Sequence, residues 1–334
     1  MSKQALLKTK QDVVDRLLEN RSRHPAQAQA EAFAPANIAL CKYWGKRNTE
    51  LNLPVTDSLS MSLVHLGSDI SICTDPKQDR VVLNGRELAT NDPFVTRTLE
   101  FLSLFKEGAE ALQIEAQNTV PTAAGFASSA SGFAALVRAL DALYQWDLDE
   151  RSLSILARLG SGSACRSIFE GLVFWHAGKS DDGMDSYAEP LAGQWPELRI
   201  GLIVLSEDQK HVGSRAAMQR TVETSPLYEA WPSVVERDIK EIQNAVAEKT
   251  FSKVGQIAER NALTMHATMM ASDPPVIYWS PESVRTMQRV WNARDEGLDL
   301  FFTMDAGPNI KLLYEAHEQK HVLEYFPELV TTGS

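Results

Sequence analysis

Five segments of the chain combine small residues with cations, amides or an acid in patterns that suit the binding of phosphate or carboxylate groups. Residues 34–47 place Asn37, Lys42, Tyr43 and Lys46 within and just after an apolar stretch. Lysines at such a position often only face water, because lysine side chains are seldom buried. The segment is therefore either a solvated strand end or the cationic wall of a ligand site.

Residues 121–132 read PTAAGFASSASG, a run of small residues before an apolar helical pattern. Small side chains let backbone N–H groups approach an anion closely, and a helix start adds unpaired N–H groups and the positive end of the helix dipole. The segment lacks the Walker consensus, so a nucleotide site here belongs to another architecture. A tightly packed helix start is the alternative interpretation.

Residues 159–167 bring Ser161, Gly162 and Ser163 close to Arg166. A guanidinium group can bind a carboxylate or a phosphate through two parallel hydrogen bonds. A flexible turn with no ligand is the alternative here.

Two later segments complete the set. Residues 210–218 set Ser214 and Arg215 at a predicted helix start, where the helix dipole disfavours cations, so the pattern hints at a bound anion. Residues 301–309 place Asp305 after an apolar strand and before a Gly-Pro break. That acid either caps the next helix or orients a substrate hydroxyl group.

Composition restricts the partners. The chain has 334 residues, is 44% hydrophobic and has a formal net charge of −11, without a basic block that would suit nucleic acid. Cys41, Cys73 and Cys165 form no CxxC pair, so the sequence favours free thiols in a reducing compartment. We find neither a signal-peptide pattern nor a membrane span of ~20 apolar residues. We therefore expect a cytoplasmic protein with neither nucleic acid nor a membrane as partner, and a phosphorylated small molecule remains a possible ligand.

The elements that must position these segments mix strands and helices without strict βαβ alternation, which favours an α+β, two-layer plan. Residues 1–31 predict an amphipathic helix and a polar connector, which either pack on the domain surface or bind a partner. A loop rich in glycine, aspartate and serine, followed by Pro190 and Pro196, predicts a domain boundary. We expect an N-terminal extension over residues 1–31, an N-terminal domain over 32–195 and a C-terminal domain over 196–334.

Apolar periodicity predicts the individual elements. Strands are expected over residues 33–40, 58–64, 69–74, 80–83, 114–118, 172–176, 198–205 and 298–304. Helices are expected over residues 94–112, 128–144, 213–224, 227–249, 252–270, 282–296 and 309–325.

In this order and at these separations, the five segments resemble the diphosphomevalonate decarboxylase family of the galactokinase, homoserine kinase, mevalonate kinase and phosphomevalonate kinase (GHMP) superfamily. The resemblance runs from about residue 33 to residue 314. It implies a two-domain GHMP-kinase-like fold with the active site in the cleft between the domains. It also implies ATP-dependent decarboxylation of mevalonate 5-diphosphate to isopentenyl diphosphate, with ATP and Mg²⁺ as cofactors, and, at family level, a homodimer.

The resemblance assigns roles to residues. It implies Asp305, Lys42 and Arg166 as catalytic residues. The substrate-binding residues that it implies are Asn37, Tyr43, Lys46, Ser161, Gly162, Ser163, Ser214, Arg215 and Met218. The implied ATP phosphate loop contains Pro121, Gly125, Ala127, Ser128 and Ser129, with Ser129 at the Mg²⁺ ion. The chain departs from the common pattern at Gly213, where many relatives have serine, and at Thr56, where asparagine is frequent.

A mechanistic hypothesis follows from the resemblance. Phosphorylation of the tertiary C3 hydroxyl group creates a good leaving group, whose departure draws electrons from the carboxylate as CO2 is lost. Asp305 would accept or orient the hydroxyl proton, and a neighbouring Lys42 would lower its pKa, so orientation with late proton transfer describes its role best. Arg166 would bind the substrate carboxylate, and Ser214, Arg215 and Lys46 would bind the diphosphate.

Three alternatives remain. A member of the same superfamily could act as a mevalonate-monophosphate decarboxylase or as a mevalonate 3-kinase. Residues 317–321 match the HExxH pattern of zinc hydrolases through His317 and His321, but such a short match arises often by chance and the surrounding residues are hydrophilic. The chain could also be a non-catalytic binding module, although the candidate acid, cations and phosphate loop are all present.

Overall fold

The computed structural model describes residues 9–75, 77–108, 110–119, 128–193, 195–206, 208 and 210–332. The predicted phosphate-loop residues Pro121, Gly125 and Ala127 therefore lie outside the described residues, as does the side chain of Ser128.

A seven-stranded sheet forms the N-terminal half of the protein. Its strands are β1 (Gln29–Cys41), β4 (Ser58–Asp75), β5 (Arg80–Leu83), β6 (Arg86–Glu87), β7 (Ala111–Asn118), β8 (Leu172–Trp175) and β9 (Ala188–Pro190), while β2 (Lys46–Asn48) and β3 (Leu53–Pro54) form a separate hairpin. The order is β6-β5-β7-β4-β8-β9, and β1 also pairs with β4. All pairs are antiparallel except β5 with β7.

Strand β4 is continuous where the sequence predicts two strands. Its pairing with β1 changes register between Pro35 and Ala36, opposite the segment that ends at Gly67. A Cβ atom at Gly67 would clash with the carbonyl oxygen of Ala34 and the ring of Phe33. Glycine thus permits the close approach of the two strands at this irregularity, and the sheet continues through it.

Four helices cover one face of this sheet or its end. They are α1 (Lys10–Leu17), α2 (Pro93–Ser103), α3 (Ser128–Tyr144) and α4 (Glu150–Gly160). Helix α1 begins with a capping box in which Thr9 and Asp12 exchange side-chain and backbone hydrogen bonds. Val13 and Val14 are fully buried in the same apolar core as α3 and α4, so the predicted N-terminal helix is an integral part of this half.

The C-terminal half is a second α+β unit. Its four-stranded antiparallel sheet has the order β11-β12-β10-β13, from β10 (Leu198–Ile203), β11 (Phe301–Met304), β12 (Ile310–Glu315) and β13 (Val330–Thr331). Its helices are α5 (Ser214–Thr224), α6 (Trp231–Ala247), α7 (Phe251–Met270), α8 (Pro281–Asp295) and α9 (Gln319–Tyr325). Within the described residues, no helix combines the length and apolar character that a membrane span requires.

Several predicted elements are wrong in extent. The helix expected over residues 309–325 is instead β12, a 3₁₀ turn and the short α9, because Ile310–Glu315 pairs along its whole length with β10 and is almost entirely buried. The helix expected over residues 94–112 ends at Ser103, and β7 begins at Ala111. Strand β1 begins at Gln29, inside the predicted polar connector, because residues 29–31 pair with β4. Helix α4 was not predicted.

The two halves share an apolar core. Ile38 and Leu40 of β1 and Leu59 of β4 lie on the opposite face of the first sheet from α3, and they pack with Val235 of α6 and Val254 of α7. The two-domain α+β architecture is therefore held together by side chains that β1 and β4 contribute to the C-terminal half.

Candidate active site

A cleft of about 490 Å³ lies between the two halves. Every predicted catalytic and substrate-binding residue lines it, together with Ser129 of α3. These residues are Asn37, Lys42, Tyr43, Lys46, Ser161, Gly162, Ser163, Arg166, Ser214, Arg215, Met218 and Asp305. Segments that are more than 100 residues apart in the chain are thus brought to one cavity.

Asp305 follows β11 and lies between two lysines. Its Oδ1 lies 3.0 Å from Nζ of Lys42, and its Oδ2 lies 3.3 Å from Nζ of Lys311. Both lysine side chains are only 2% exposed, whereas a third of the Asp305 side chain faces the cleft. Burial alone would raise the pKa of the Asp305 carboxyl, but the two ammonium groups outweigh it and hold the pKa well below its usual range.

The backbone of Asp305 is fixed as well. Its carbonyl oxygen accepts a hydrogen bond from the Gly307 N–H at 2.8 Å and lies 3.1 Å from Nε2 of His266. Burial, followed by the charge of Lys42, lowers the pKa of His266 to about 3, so the ring is neutral at physiological pH. Because a carbonyl oxygen only accepts hydrogen bonds, the tautomer with the proton on Nε2 fits this contact.

Lys42 is held from two sides at the end of β1. Its ammonium group donates to the Ala39 carbonyl oxygen at 2.7 Å as well as to Asp305. Its backbone N–H donates to Oδ1 of Asn261 on α7 at 2.8 Å, and Nδ2 of Asn261 donates to the buried Asp238 at 2.9 Å. Burial lowers the pKa of Lys42 to about 8 although Asp305 opposes the shift.

Arg166 lies in the 3₁₀ turn Gly162–Ile168, which follows α4. Its Nε donates to Oδ1 of Asn37 at 3.2 Å, and its Nη1 donates to Oγ of Ser58 at 2.6 Å. The guanidinium carbon lies 5.6 Å from the centre of the Trp175 ring. Neutral partners on two sides therefore fix this cation in the cleft wall, and they leave its charge available to an anion.

The ring of Tyr43 packs against the glycine of the same turn. A Cβ atom at Gly162 would lie 2.8 Å from the Tyr43 hydroxyl oxygen, so a larger residue would displace the tyrosine. The Tyr43 hydroxyl group has no hydrogen-bond partner among the described residues although it is buried. Tyr43 also lines the cleft, and burial raises the pKa of its hydroxyl group, which therefore stays neutral.

The other end of the cleft is cationic. The ammonium group of Lys46 donates to Oδ1 of Asn52 at 2.6 Å, and burial, followed by the charge of Arg215, lowers the pKa of Lys46 to about 8. Helix α5 begins at Ser214 after Gly213, which provides no side-chain cap. The first turn of α5 thus keeps unpaired N–H groups beside Arg215, an arrangement that favours anions.

Sequence reasoning assigned no role to three cations at the cleft. Lys210 and Arg97 line the cleft, and Lys311 contacts Asp305. Lys210 lies in one of the five segments, three residues before Gly213, so its place in the cleft could have been predicted from the sequence. Arg97 lies on α2, far from the five segments, and only the fold brings it to the site. Lys311 lies on β12, two residues beyond the segment that contains Asp305, and only the strand conformation turns it toward that acid.

The two histidines of the HExxH match lie at the protein surface. His317 lies in a 3₁₀ turn and His321 in α9, their side chains are 68% and 60% exposed, and both contact Glu318. Among the described residues there is no group of three histidine, cysteine, aspartate or glutamate side chains that could hold a metal ion.

Two family models cover most of the chain. Residues 34–188 match the diphosphomevalonate decarboxylase-like N-terminal domain, and residues 200–333 match the mevalonate 5-diphosphate decarboxylase C-terminal domain. The diphosphomevalonate decarboxylase of Ganoderma lucidum is 38% identical over 330 residues, which span 90% of this chain and 82% of that protein. The chain belongs to the diphosphomevalonate decarboxylase family.

Solved structures of the diphosphomevalonate decarboxylase family have the same fold. The Staphylococcus aureus mevalonate diphosphate decarboxylase is 34% identical with a TM-score of 0.86, over 91% of this chain and 95% of that one. A structure described as MDDEF in complex with MVAPP, AMPPCP and magnesium is 40% identical with a TM-score of 0.83, over 91% of this chain and 96% of that one. The likeness therefore extends over both α+β halves.

Proposed function

We propose that this protein catalyses the ATP-dependent decarboxylation of mevalonate 5-diphosphate to isopentenyl diphosphate, with release of ADP, phosphate and CO2. The observation that carries the proposal is the convergence of Asp305, Lys42 and Arg166 in a cleft that Ser129 of α3 also lines. Membership of the diphosphomevalonate decarboxylase family and the full-length likeness to its solved structures support the same reaction.

The cleft suits each bond change of this reaction. The C3 hydroxyl oxygen of the substrate attacks the γ-phosphorus of ATP, and its proton passes to Asp305 late in the transfer. The C3–O bond then breaks with loss of phosphate, and the electrons of the bond to the carboxylate carbon form the C=C bond as CO2 leaves. Because two lysines stabilise the Asp305 anion, its first contribution is to orient the hydroxyl group, as positioning dominates phosphoryl transfer.

The remaining residues bind the two ends of the substrate. Arg166 binds the carboxylate that is lost, and its fixed guanidinium group keeps the scissile bond in place. Lys46, Arg215 and Ser214 bind the diphosphate at the cationic end. Asn37, Tyr43, Met218 and residues 161–163 form the walls between these ends.

ATP and Mg²⁺ fit the side of the cleft at α3. AMPPCP and magnesium accompany the related structure described above, and AMPPCP is an ATP analogue. Ser129 lies in the first turn of α3 and offers an oxygen donor, the ligand type that Mg²⁺ prefers when phosphates supply most of its other ligands. When bound, Mg²⁺ neutralises charge on the triphosphate. Pro121, Gly125, Ala127 and Ser128 complete the phosphate loop in this proposal.

The proposal extends to cellular context. We place the protein in the cytoplasm as an enzyme of isoprenoid biosynthesis, active as a homodimer, with residues 32–195 and 196–334 as its two domains. Localisation of a tagged protein tests the cytoplasmic location. The mass of the protein in solution tests the homodimer.

Product stoichiometry tests the function itself. ADP, phosphate and CO2 should appear in equal amounts with mevalonate 5-diphosphate and ATP. Formation of ADP without CO2 would identify a 3-kinase. A preference for mevalonate 5-phosphate would identify a monophosphate decarboxylase, and either result would refute the proposal.

A further inference from the structure

Four cations from four different elements gather at one end of the cleft. Lys46, Arg97 and Arg215 line the cleft itself, and Lys10 of α1 joins Arg97 and Arg215 in an adjoining cavity of about 220 Å³. The two cavities thus share Arg97 and Arg215 as a common wall. The N-terminal helix is brought to the edge of the site, although it precedes the residues that match the family models.

No side chain of this cluster forms an ion pair in the part of the chain that the structure describes, although the charges of Glu50 and Glu100 oppose the lowering of the Lys10 pKa by burial. None of the four side chains has a carboxylate oxygen within 4 Å, although the chain carries 44 acidic residues against 33 basic ones. Glu100 lines the smaller cavity but forms no ion pair with any of them. The ammonium group of Lys46 donates to the neutral Asn52, and the guanidinium carbon of Arg97 lies 5.8 Å from the centre of the Phe133 ring.

The charges of the cluster act on one another. After burial, the charges of Arg215, Lys10 and Arg97 are the causes that lower the pKa of Lys46 to about 8. Mutual repulsion of this kind is unfavourable, and a bound polyanion removes it.

The position of Lys10 on α1 also favours a bound anion near the cluster. Lys10 is the first residue of the helix, where the dipole disfavours a cation, and its backbone N–H donates to Glu50 at 3.3 Å. Val13 and Val14 are fully buried in the core and hold the helix in place. The ammonium group of Lys10 is thus carried on a fixed element instead of a mobile tail.

We propose that α1 is part of the substrate site and that Lys10, together with Arg97, binds the distal phosphate of the substrate diphosphate. This inference rests on the proposed function for the identity of the ligand. A diphosphate carries about three negative charges and spans two phosphate groups, so Lys46 and Arg215 neutralise one end and Lys10 and Arg97 the other.

Steady-state kinetics of Lys10→Gln test the inference. The KM for mevalonate 5-diphosphate should rise about tenfold, as expected for the loss of one charge-assisted contact, while kcat and the KM for ATP stay within about twofold. Lys10→Arg should restore most of the affinity. Lys240→Gln removes the same charge from an exposed site on α6 that is 71% exposed, and it should leave both KM values unchanged.

Calorimetric titration with inorganic pyrophosphate provides a measurement that needs no turnover. Pyrophosphate should bind Lys10→Gln about tenfold more weakly than the wild type, and the difference should shrink at high salt. Equal affinities in Lys10→Gln and Lys240→Gln would overturn the role of Lys10, as would a rise confined to the KM for ATP. Failure of the wild type to release CO2 would instead refute the proposed function and leave the pyrophosphate result to decide on Lys10.

Discussion

The Asp305 carboxylate and the Lys42 ammonium group lie 3.0 Å apart, although 263 positions separate them in the chain. Lys311 contacts the other oxygen of the same carboxylate at 3.3 Å. An aspartate held in this way stays ionised at any physiological pH and is a weak base, because proton uptake would leave two buried ammonium groups without their partner. Its lone pairs toward the cleft can still accept a hydrogen bond from a substrate hydroxyl group.

Replacing this acid should abolish most of the turnover. Asp305→Asn should lower kcat by roughly 10²–10⁴-fold, because an amide cannot accept the hydroxyl proton, and it should leave ATP affinity nearly unchanged. Single-turnover phosphate release and ATP titration measure the two effects. Asp181→Asn, whose side chain is 82% exposed, is the control of equal charge change and should behave as the wild type. Substantial phosphate release by Asp305→Asn would remove Asp305 from the mechanism.

Lys311 should control the acid side of the pH profile. Lys311→Met removes one of the two cations that hold the pKa of Asp305 down, so the pKa rises and the acid limb of kcat/KM moves to higher pH. At pH 7 kcat should fall about tenfold, the value of one charged hydrogen bond. Rate profiles from pH 4 to pH 8 measure both effects. The wild type should show no acid limb from Asp305 in this range, and a Lys311→Met profile without one would contradict the role of Lys311.

The alkaline limb of the kcat/KM profile should depend on two lysines. Burial lowers the pKa values of Lys42 and Lys46 to about 8, and each carries its positive charge only below that pH. The value of kcat/KM should therefore fall as pH rises through about 8, with a slope that approaches two protons. In the kcat profile only the contribution of Lys46 should move to higher pH, because a bound diphosphate stabilises protonated Lys46 and not Lys42.

The variant Lys46→Arg distinguishes the titration of Lys42 from that of Lys46. Lys46→Arg keeps its charge at alkaline pH, so the slope of its kcat/KM profile should decrease from two protons to one, and the remaining limb reports Lys42. A flat wild-type profile up to pH 10 would contradict both assignments.

The hydrogen bonds that Asn261 makes with Lys42 and Asp238 should stabilise the fold measurably. Asn261→Ala removes the acceptor of the Lys42 backbone N–H and one donor to the buried Asp238, so the free energy of unfolding should fall by about 1–3 kcal/mol. Urea denaturation measures it. Asn292→Ala on the exposed face of α8 is the matched control and should change the free energy by less than about 0.5 kcal/mol. Equal effects of the two substitutions would mean that the network does not stabilise the fold.

The sequence predicted the residues whose local context is chemically distinctive. Asp305 before a Gly-Pro break and Arg166 after Gly-Ser pairs are recognisable from a few neighbours, and the structure brings both to one cleft. Lys311 was missed because its segment was interpreted as the start of a helix. Its strand conformation depends on pairing with β10, which lies more than 100 residues earlier. Helix and strand cannot be distinguished by periodicity in so short an apolar run.

Lys10 was missed for a related reason. An amphipathic pattern shows that α1 needs an apolar partner surface, but it does not show which surface. Only the packing of Val13 and Val14 into the N-terminal core places Lys10 beside Arg97. Contacts between distant segments thus decide the parts of the site that carry no motif.

The apolar core that β1 and β4 share with α6 and α7 has a consequence for enzyme engineering. Cutting the chain between β9 and β10 would expose Ile38, Leu40 and Leu59 on one fragment and Val235 and Val254 on the other. Each fragment should then aggregate by itself, because it exposes an apolar surface. Chimaeras that exchange halves between relatives will require matched side chains in this shared core.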